Sequence, residues 1–364
     1  MTVKILQNST PCSYLALLKE NITGHATAKP VYKPTRRWPR AILAQKKNVK
    51  QFYLIIIKKS NFLRIAAYNC KPNLCSMKKA TSAPLCLAVI FLVLPLIYLQ
   101  AQPAIKQDSF IYRIAGPDTL KAYVFSPAPG NKPRPAILLF HGGAWRLGDA
   151  SWTFDRAKEF AADGMVAVSI DYRLANNGLS PVDGVEDACA AFEWIRKQAA
   201  KFNINTHKIV GYGVSAGGHL VAAAAVLPFV KGKQVTANER PSVLMLYSPA
   251  LNMAHDGYFD ALMKGKGDPA SYSPSEFINN TLPPTLIIQG EQDSIVFAAD
   301  ARAFRDKALK AGATCELHIY PGVGHLLTRN IKVQYKDFDS DPAFVADARN
   351  KEDNFLRALG YISR

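Results

Sequence analysis

Acidic residues are almost absent from the first 101 positions, where Glu20 stands alone against 16 lysines and arginines. The whole chain has 364 residues, 45 basic and 28 acidic side chains, and a formal net charge of +17. The 263 residues after position 101 keep 29 basic and 27 acidic side chains, a net of only +2. So small a balance argues against the cationic face that nucleic-acid binding by the main region would need. Cysteine is equally scarce there. Cys12, Cys70, Cys75 and Cys86 belong to the leader, and only Cys189 and Cys315 remain. Two cysteines in apolar contexts fit buried small hydrophobes better than a disulfide framework, although an exported location would allow a bridge between them. The main region also lacks an internal repeat, a low-complexity tract and any metal-ligand spacing, so no metal or other cofactor is expected.

The leader has an order of its own. Met77-Lys78-Lys79 is followed by an uncharged stretch to Ile105, within which Pro84 to Leu99 is wholly apolar. A basic flank, an apolar run and a small residue, Ala101, are the three parts of a secretory signal. Three segments follow from this: residues 1–76 as an upstream extension or basic leader, 77–101 as signal peptide or membrane anchor, and 102–364 as the main domain. Translation is expected to begin at Met77. The alternative is a basic tail followed by a single anchor over residues 84–99, short beside the about 20 residues of a spanning helix. In both readings the positive flank stays inside, and the main domain is exported to a periplasmic or extracellular location. Cys86 lacks the preceding small residues of a lipoprotein signal, so lipidation is not expected.

Beyond position 102, short apolar runs alternate with helical patterns. Ser109 to Ile114 and Leu120 to Phe125 alternate like an antiparallel edge pair. Ala136 to Phe140, Met165 to Ile170, Lys208 to Tyr212, Val243 to Tyr247, Thr285 to Gln289 and Cys315 to Tyr320 read as further strands, most of them buried on both faces. Helical stretches cover Phe154 to Ala162, Val182 to Phe202, Ala216 to Leu227, Ala298 to Ala311 and Pro342 to Leu359. In the second, Val185, Ala188, Phe192 and Ile195 share one face. The pattern predicts an α/β fold, a mostly parallel central sheet with helices on both faces. Ligands of such sheets bind beyond the carboxyl ends of the strands, so chemistry is expected just after strands.

The densest motif is Gly211-Tyr212-Gly213-Val214-Ser215-Ala216-Gly217-Gly218-His219. Its Gly-x-Ser-x-Gly core lies between an apolar strand and an Ala-rich helix, where a sharp turn would hold Ser215 in strained geometry with no room for neighbouring side chains. A serine hydroxyl needs a base. Among seven histidines, His25 lies in the leader, His207 before a strand, His318 inside one and His255 in a polar loop. His219 is expected to point into the structure and His141 to brace its own loop. His325, on the Gly-rich loop after the last strand, is the expected base. Its orienting carboxylate is expected to be Asp293, directly after the strand ending at Gln289, with Glu291 as the competitor and the better fit to a solvated loop charge. Gly142 and Gly143 of His141-Gly142-Gly143-Ala144-Trp145, together with Ala216, can supply backbone N–H donors to an oxyanion. Trp145 could pack the loop or stack on a sugar ring, packing being the better fit.

These motifs, with Asp171-Tyr172-Arg173-Leu174-Ala175 and Gly290-Glu291-Gln292-Asp293, resemble the esterase/lipase branch of the α/β-hydrolases. The likeness is to hormone-sensitive-lipase-like and bacterial acetyl- or feruloyl-esterase-like enzymes, over nearly all of residues 108–361. It implies a Ser215, Asp293, His325 triad, an oxyanion hole of Gly142, Gly143 and Ala216, and hydrolysis of carboxylic esters. There are departures: Ala144 replaces a usual third glycine, no proline follows Ala175, and there is little room for an N-terminal helical cap. The insert from Asn252 to Leu282 is the remaining candidate lid. It is too short and polar for an interfacial lid, which points to short-acyl esters, with acyl groups on carbohydrates as one class. A peptidase of the prolyl-oligopeptidase type would usually carry an aromatic residue where Ala216 stands, and a large propeller. A non-catalytic binding domain would typically have lost a triad residue. The expected partner is a small-molecule or oligosaccharide ester, with no nucleic acid and with the membrane only through the leader.

Overall fold

The computed structural model describes residues 105–363. The leader segments, including the expected signal and the apolar run at 84–99, lie outside the described residues. An eight-stranded sheet runs through the domain in the order β1-β2-β4-β3-β5-β8-β9-β10. β1 (Lys106–Ala115) and β2 (Asp118–Ser126) form the antiparallel edge, and β2 meets β4 (Val166–Ile170) antiparallel as well. β3 (Arg134–Phe140), β4, β5 (Ile204–Val214), β8 (Val243–Tyr247), β9 (Thr285–Gly290) and β10 (Cys315–Tyr320) run parallel. β6 (Phe229–Val230) and β7 (Lys233–Gln234) make a separate two-stranded hairpin.

The parallel strands are continuous apolar runs because both faces are covered. In β3, Ala136, Leu138 and Phe140 enter one core while Ile137 and Leu139 enter the other. The first core is covered by α2 (Pro181–Lys197) and α4 (Ala216–Val226), the second by α1 (Phe154–Ala162) and α7 (Pro342–Ala358). α6 (Ala298–Lys310) packs through Ala301, Phe304 and Ala308 on the first side. Val185, Ala188, Phe192 and Ile195 of α2 are all fully buried, as their spacing requires.

The expected helix from Val182 to Phe202 is instead two. α2 ends with its cap at Gln198, and α3 (Ala199–Phe202) follows. The break lets Phe202 turn back onto Phe110, with ring centroids 5.5 Å apart, and onto Trp194. β5 begins at Ile204, four residues before the expected strand, since Ile204 pairs with Arg134 ahead of a register shift. Cys189 and Cys315 are buried free thiols, each pushed up to about 12 by burial, which makes them inert at neutral pH.

Candidate active site

β5 hands Ser215 to α4 through a turn of steric necessity. Ser215 has φ 53° and ψ −116°, a region that L side chains seldom occupy and that marks stored strain. The glycines around it have no room for a side chain. A Cβ on Gly217 would overlap the carbonyl oxygens of Phe140 and His141, and one on Gly218 would lie 2.7 Å from Pro249 Cβ. Ser215 N–H donates to the Tyr247 carbonyl at 2.9 Å, which fixes the turn to the end of β8.

His325 reaches the same point from the loop after β10. Its Nε2 lies 3.0 Å from Ser215 Oγ, and its Nδ1 lies 2.8 Å from Asp293 Oδ2. With Nδ1–H donating to the carboxylate, Nε2 is free to accept the serine proton. All three residues are buried: 8% of Ser215, 3% of His325 and 4% of Asp293 remains exposed. The far oxygen of Asp293, Oδ1, accepts from the amides of Ile295 and Val296 at 2.9 and 3.0 Å.

Glu291 is exposed and faces Arg302 at 3.2 Å, so the solvated charge expected of it is what the structure shows. His219 is fully buried: Nδ1 accepts from Trp145 Nε1 at 3.1 Å, and Nε2–H donates to the Tyr272 carbonyl at 2.8 Å. Burial pushes its pKa down to about 4, keeping it neutral. His141 is also buried, with its pKa lowered for the same reason, and its ring stacks on Tyr172 at a centroid separation of 4.4 Å. Trp145 takes the packing role, meeting Phe259 edge-on at 5.2 Å.

The loop carrying Gly142 and Gly143 curls beside the serine. The space a Gly142 Cβ would fill lies 3.3 Å from Ser215 Cβ. Gly143 has φ 114° and its carbonyl accepts from the amides of Arg146 and Leu147, closing a tight turn that a side chain would block. Ala144 and Trp145 follow at φ 51° and 60°. The turn is tied down from the loop after β4: Ala175 N–H donates to the Trp145 carbonyl at 2.6 Å, and Arg146 Nε donates to Asn176 Oδ1 at 3.0 Å. Beneath that segment, Arg173 grips the buried Asp187 through both carboxylate oxygens.

Sequence reasoning missed three polar residues behind the triad. Gln289 Nε2 donates to Asp293 Oδ2 at 2.9 Å. Gln334 Oε1 accepts from the His325 amide at 2.7 Å and the Ser294 amide at 3.2 Å, while its Nε2 donates to the carbonyls of Gln292 and Ile331. Ser248 Oγ accepts from the Leu326 amide at 3.1 Å. Gln289 directly precedes the acid loop, a signal that could have been read. Gln334 sits in a polar stretch that offers none. The insert 252–282 is folded: α5 (Gly257–Met263) buries Phe259 and Met263, and Met253 N–H donates to Ser273 Oγ.

A parallel sheet whose nucleophile turn, carboxylate and histidine all follow strand ends defines an α/β-hydrolase. The comparisons carry this further. A family model described as BD-FAE matches residues 123–243, and the dienelactone hydrolase family matches residues 250–361. The arylesterase of Saccharolobus solfataricus is 30% identical over 190 residues, 46% of this chain and 61% of that one. The para-nitrobenzyl esterase of Bacillus subtilis is 32% identical over 126 residues, covering 32% of this chain and 26% of that one. The chain thus spans from about a quarter to three-fifths of these relatives' length. Esterase 2 of Thermogutta terrifontis, solved without ligand, superposes with a TM-score of 0.64 at 28% identity, over 73% of this chain and all of that one. The same esterase has been solved bound to propionate and to butyrate, and phosphonylated by sarin. In its fold and in these matches the chain is similar to esterases of the α/β-hydrolase fold.

Proposed function

We propose that this chain is a serine carboxylic-ester hydrolase that cleaves short-acyl esters through an acyl-enzyme. The observation that carries the reading is the unbroken line from Ser215 Oγ through the imidazole of His325 to Asp293, at 3.0 and 2.8 Å. His325 takes the serine proton as Oγ attacks the ester carbonyl. The Gly142, Gly143 and Ala216 amides receive the developing oxyanion, and Asp293 stabilises the imidazolium. His325 then protonates the departing alcohol, and water repeats the cycle to free the acid. The esterase names of the relatives support the reaction class. The propionate- and butyrate-bound forms of the Thermogutta esterase support a short acyl group.

The alcohol is proposed to include carbohydrate, in keeping with an exported domain. Export itself rests on the leader pattern at 77–101; N-terminal sequencing of the mature protein is expected to find a start just after Ala101. Changing Ser215 to Ala is expected to lower turnover of p-nitrophenyl acetate by on the order of 10⁴-fold or more. A variant with wild-type rate would overturn the assignment. Nitrophenyl esters of rising chain length should peak at two to four carbons, and a peak at long chains would refute the short-acyl part.

A further inference from the structure

Ten large apolar side chains stand out as exposed among the described residues, and six of them gather on the loops after β3, β9 and β10: Leu147, Trp152, Phe297, Ile331, Tyr335 and Phe338. Two of these touch a histidine at the active site. The Trp152 indole, 60% exposed, lies edge-on to the His141 ring with centroids 5.8 Å apart. The Phe338 ring, 46% exposed, lies edge-on to His325 at 6.2 Å. Trp152 stands two residues before α1 and Phe338 four before α7. These helices are neighbours on one face of the sheet, joined by Arg156–Glu352 at 2.5 Å and Arg349–Glu159 at 3.2 Å. Both helices begin at the carboxyl end of the parallel strands, so the two rings belong to the same rim as Ser215. The half-buried Val214 and Leu326, chain neighbours of Ser215 and His325, add apolar surface there.

We infer that Trp152 and Phe338 form the walls of a subsite for a neutral ring on the alcohol side of the ester. The inference rests on the esterase reading and deepens it. The leaving oxygen must come within reach of His325 Nε2 to be protonated, so whatever it carries lies beside the imidazole against which Phe338 packs. Trp152 flanks the Gly142 loop through its contact with the His141 ring. A ring entering here covers apolar surface that otherwise stands in water, a gain for any flat, weakly hydrated face. Among the nearby charges Asp339 pairs with Arg329, whereas Asp337 and Asp149 accept from the neutral Asn330 and Ser151 amides. The apolar faces of the two rings, rather than these charges, favour a neutral aryl or pyranose ring.

Phenyl acetate, a methyl tri-O-acetyl-xyloside and ethyl acetate all deliver the same acetyl-enzyme and differ only in the alcohol. In Trp152→Ala and Phe338→Ala, kcat/KM relative to wild type is expected to fall by about fivefold or more on one or both ring esters, with ethyl acetate within about twofold. Which ring ester falls identifies the ring. An equal fall on all three, or no fall, overturns the subsite. Binding of benzyl alcohol and methyl xyloside, read by tryptophan fluorescence of the full chain, needs no turnover and keeps the two readings apart. Weaker binding of either in Phe338→Ala supports the subsite even if Ser215 proved inert, and unchanged binding of both overturns it.

Discussion

The nucleophile turn and the histidine loop meet at one hydrogen bond, yet they are built by opposite means. Residues 211–219 are held by sterics: the positive φ of Ser215, the missing side chains at Gly217 and Gly218, and the close carbonyls of Phe140 and His141. Residues 321–340 are held by side-chain hydrogen bonds from Gln334 and Ser248, with Gln289 steadying the carboxylate. A steric demand is written as a short local pattern, because only glycine satisfies it. A hydrogen-bond brace can come from any distant residue of the right chemistry, so it leaves no fixed spacing.

The largest effect is expected on the steric side. In Gly217→Ala the new methyl would overlap two backbone carbonyls that have no rotamer to yield. Loss of about 3 kcal/mol of stability, or failure to fold, is expected in urea denaturation; a variant of wild-type stability would break the contrast. On the histidine side, Gln334→Ala should leave the fold largely intact while releasing the His325 amide. A kcat lower by about 10- to 100-fold with KM nearly unchanged is expected, and Gln334→Asn restoring part of it would separate positioning from simple destabilisation. A KM effect alone would contradict the positioning role.

A pH-dependent effect, absent at neutral pH, concerns His219, on the nucleophile helix. Burial holds its folded pKa down to about 4, whereas the unfolded chain takes up a proton near about 6.5. The unfolded state therefore binds more protons between these values. Stability is full above about pH 6.5 and is lost as pH falls toward 4, by at most about 1.4 kcal/mol per pH unit for this group. Glu186 adds to the loss lower down. Burial raises its pKa, but hydrogen bonds from Lys231, Arg113 and Arg173 outweigh it and hold the group at about 2. Denaturation midpoints measured from pH 7 to 4 should fall in the wild type and less steeply in His219→Gln. Equal slopes would show that His219 titrates normally.

The same contrast explains what was legible in the sequence. The sheet could be read because parallel strands buried on both faces are uninterrupted apolar runs, as in Ile137 to Phe140. Ser215, Asp293 and His325 could be placed because each follows a strand in the chain order of this fold. The break after Lys197 was hidden because helical periodicity persists through it, and only the packing of Phe202 on Phe110 requires the turn. Gln334 was hidden because nothing in a polar loop marks the one amide that turns inward. The insert 252–282 read only as a short, polar candidate lid, because its order comes from Phe259 entering the Trp145–His219 cluster, a partnership between distant segments.

Ser215, activated by His325 and Asp293, is the proposed nucleophile. Folded protein treated with a fluorophosphonate and mapped by mass spectrometry tests it most directly. One adduct per chain is expected, on the peptide containing Ser215, formed on the order of 10³-fold or more slowly in His325→Ala. No adduct on the folded wild type, or an adduct on another residue, would contradict it.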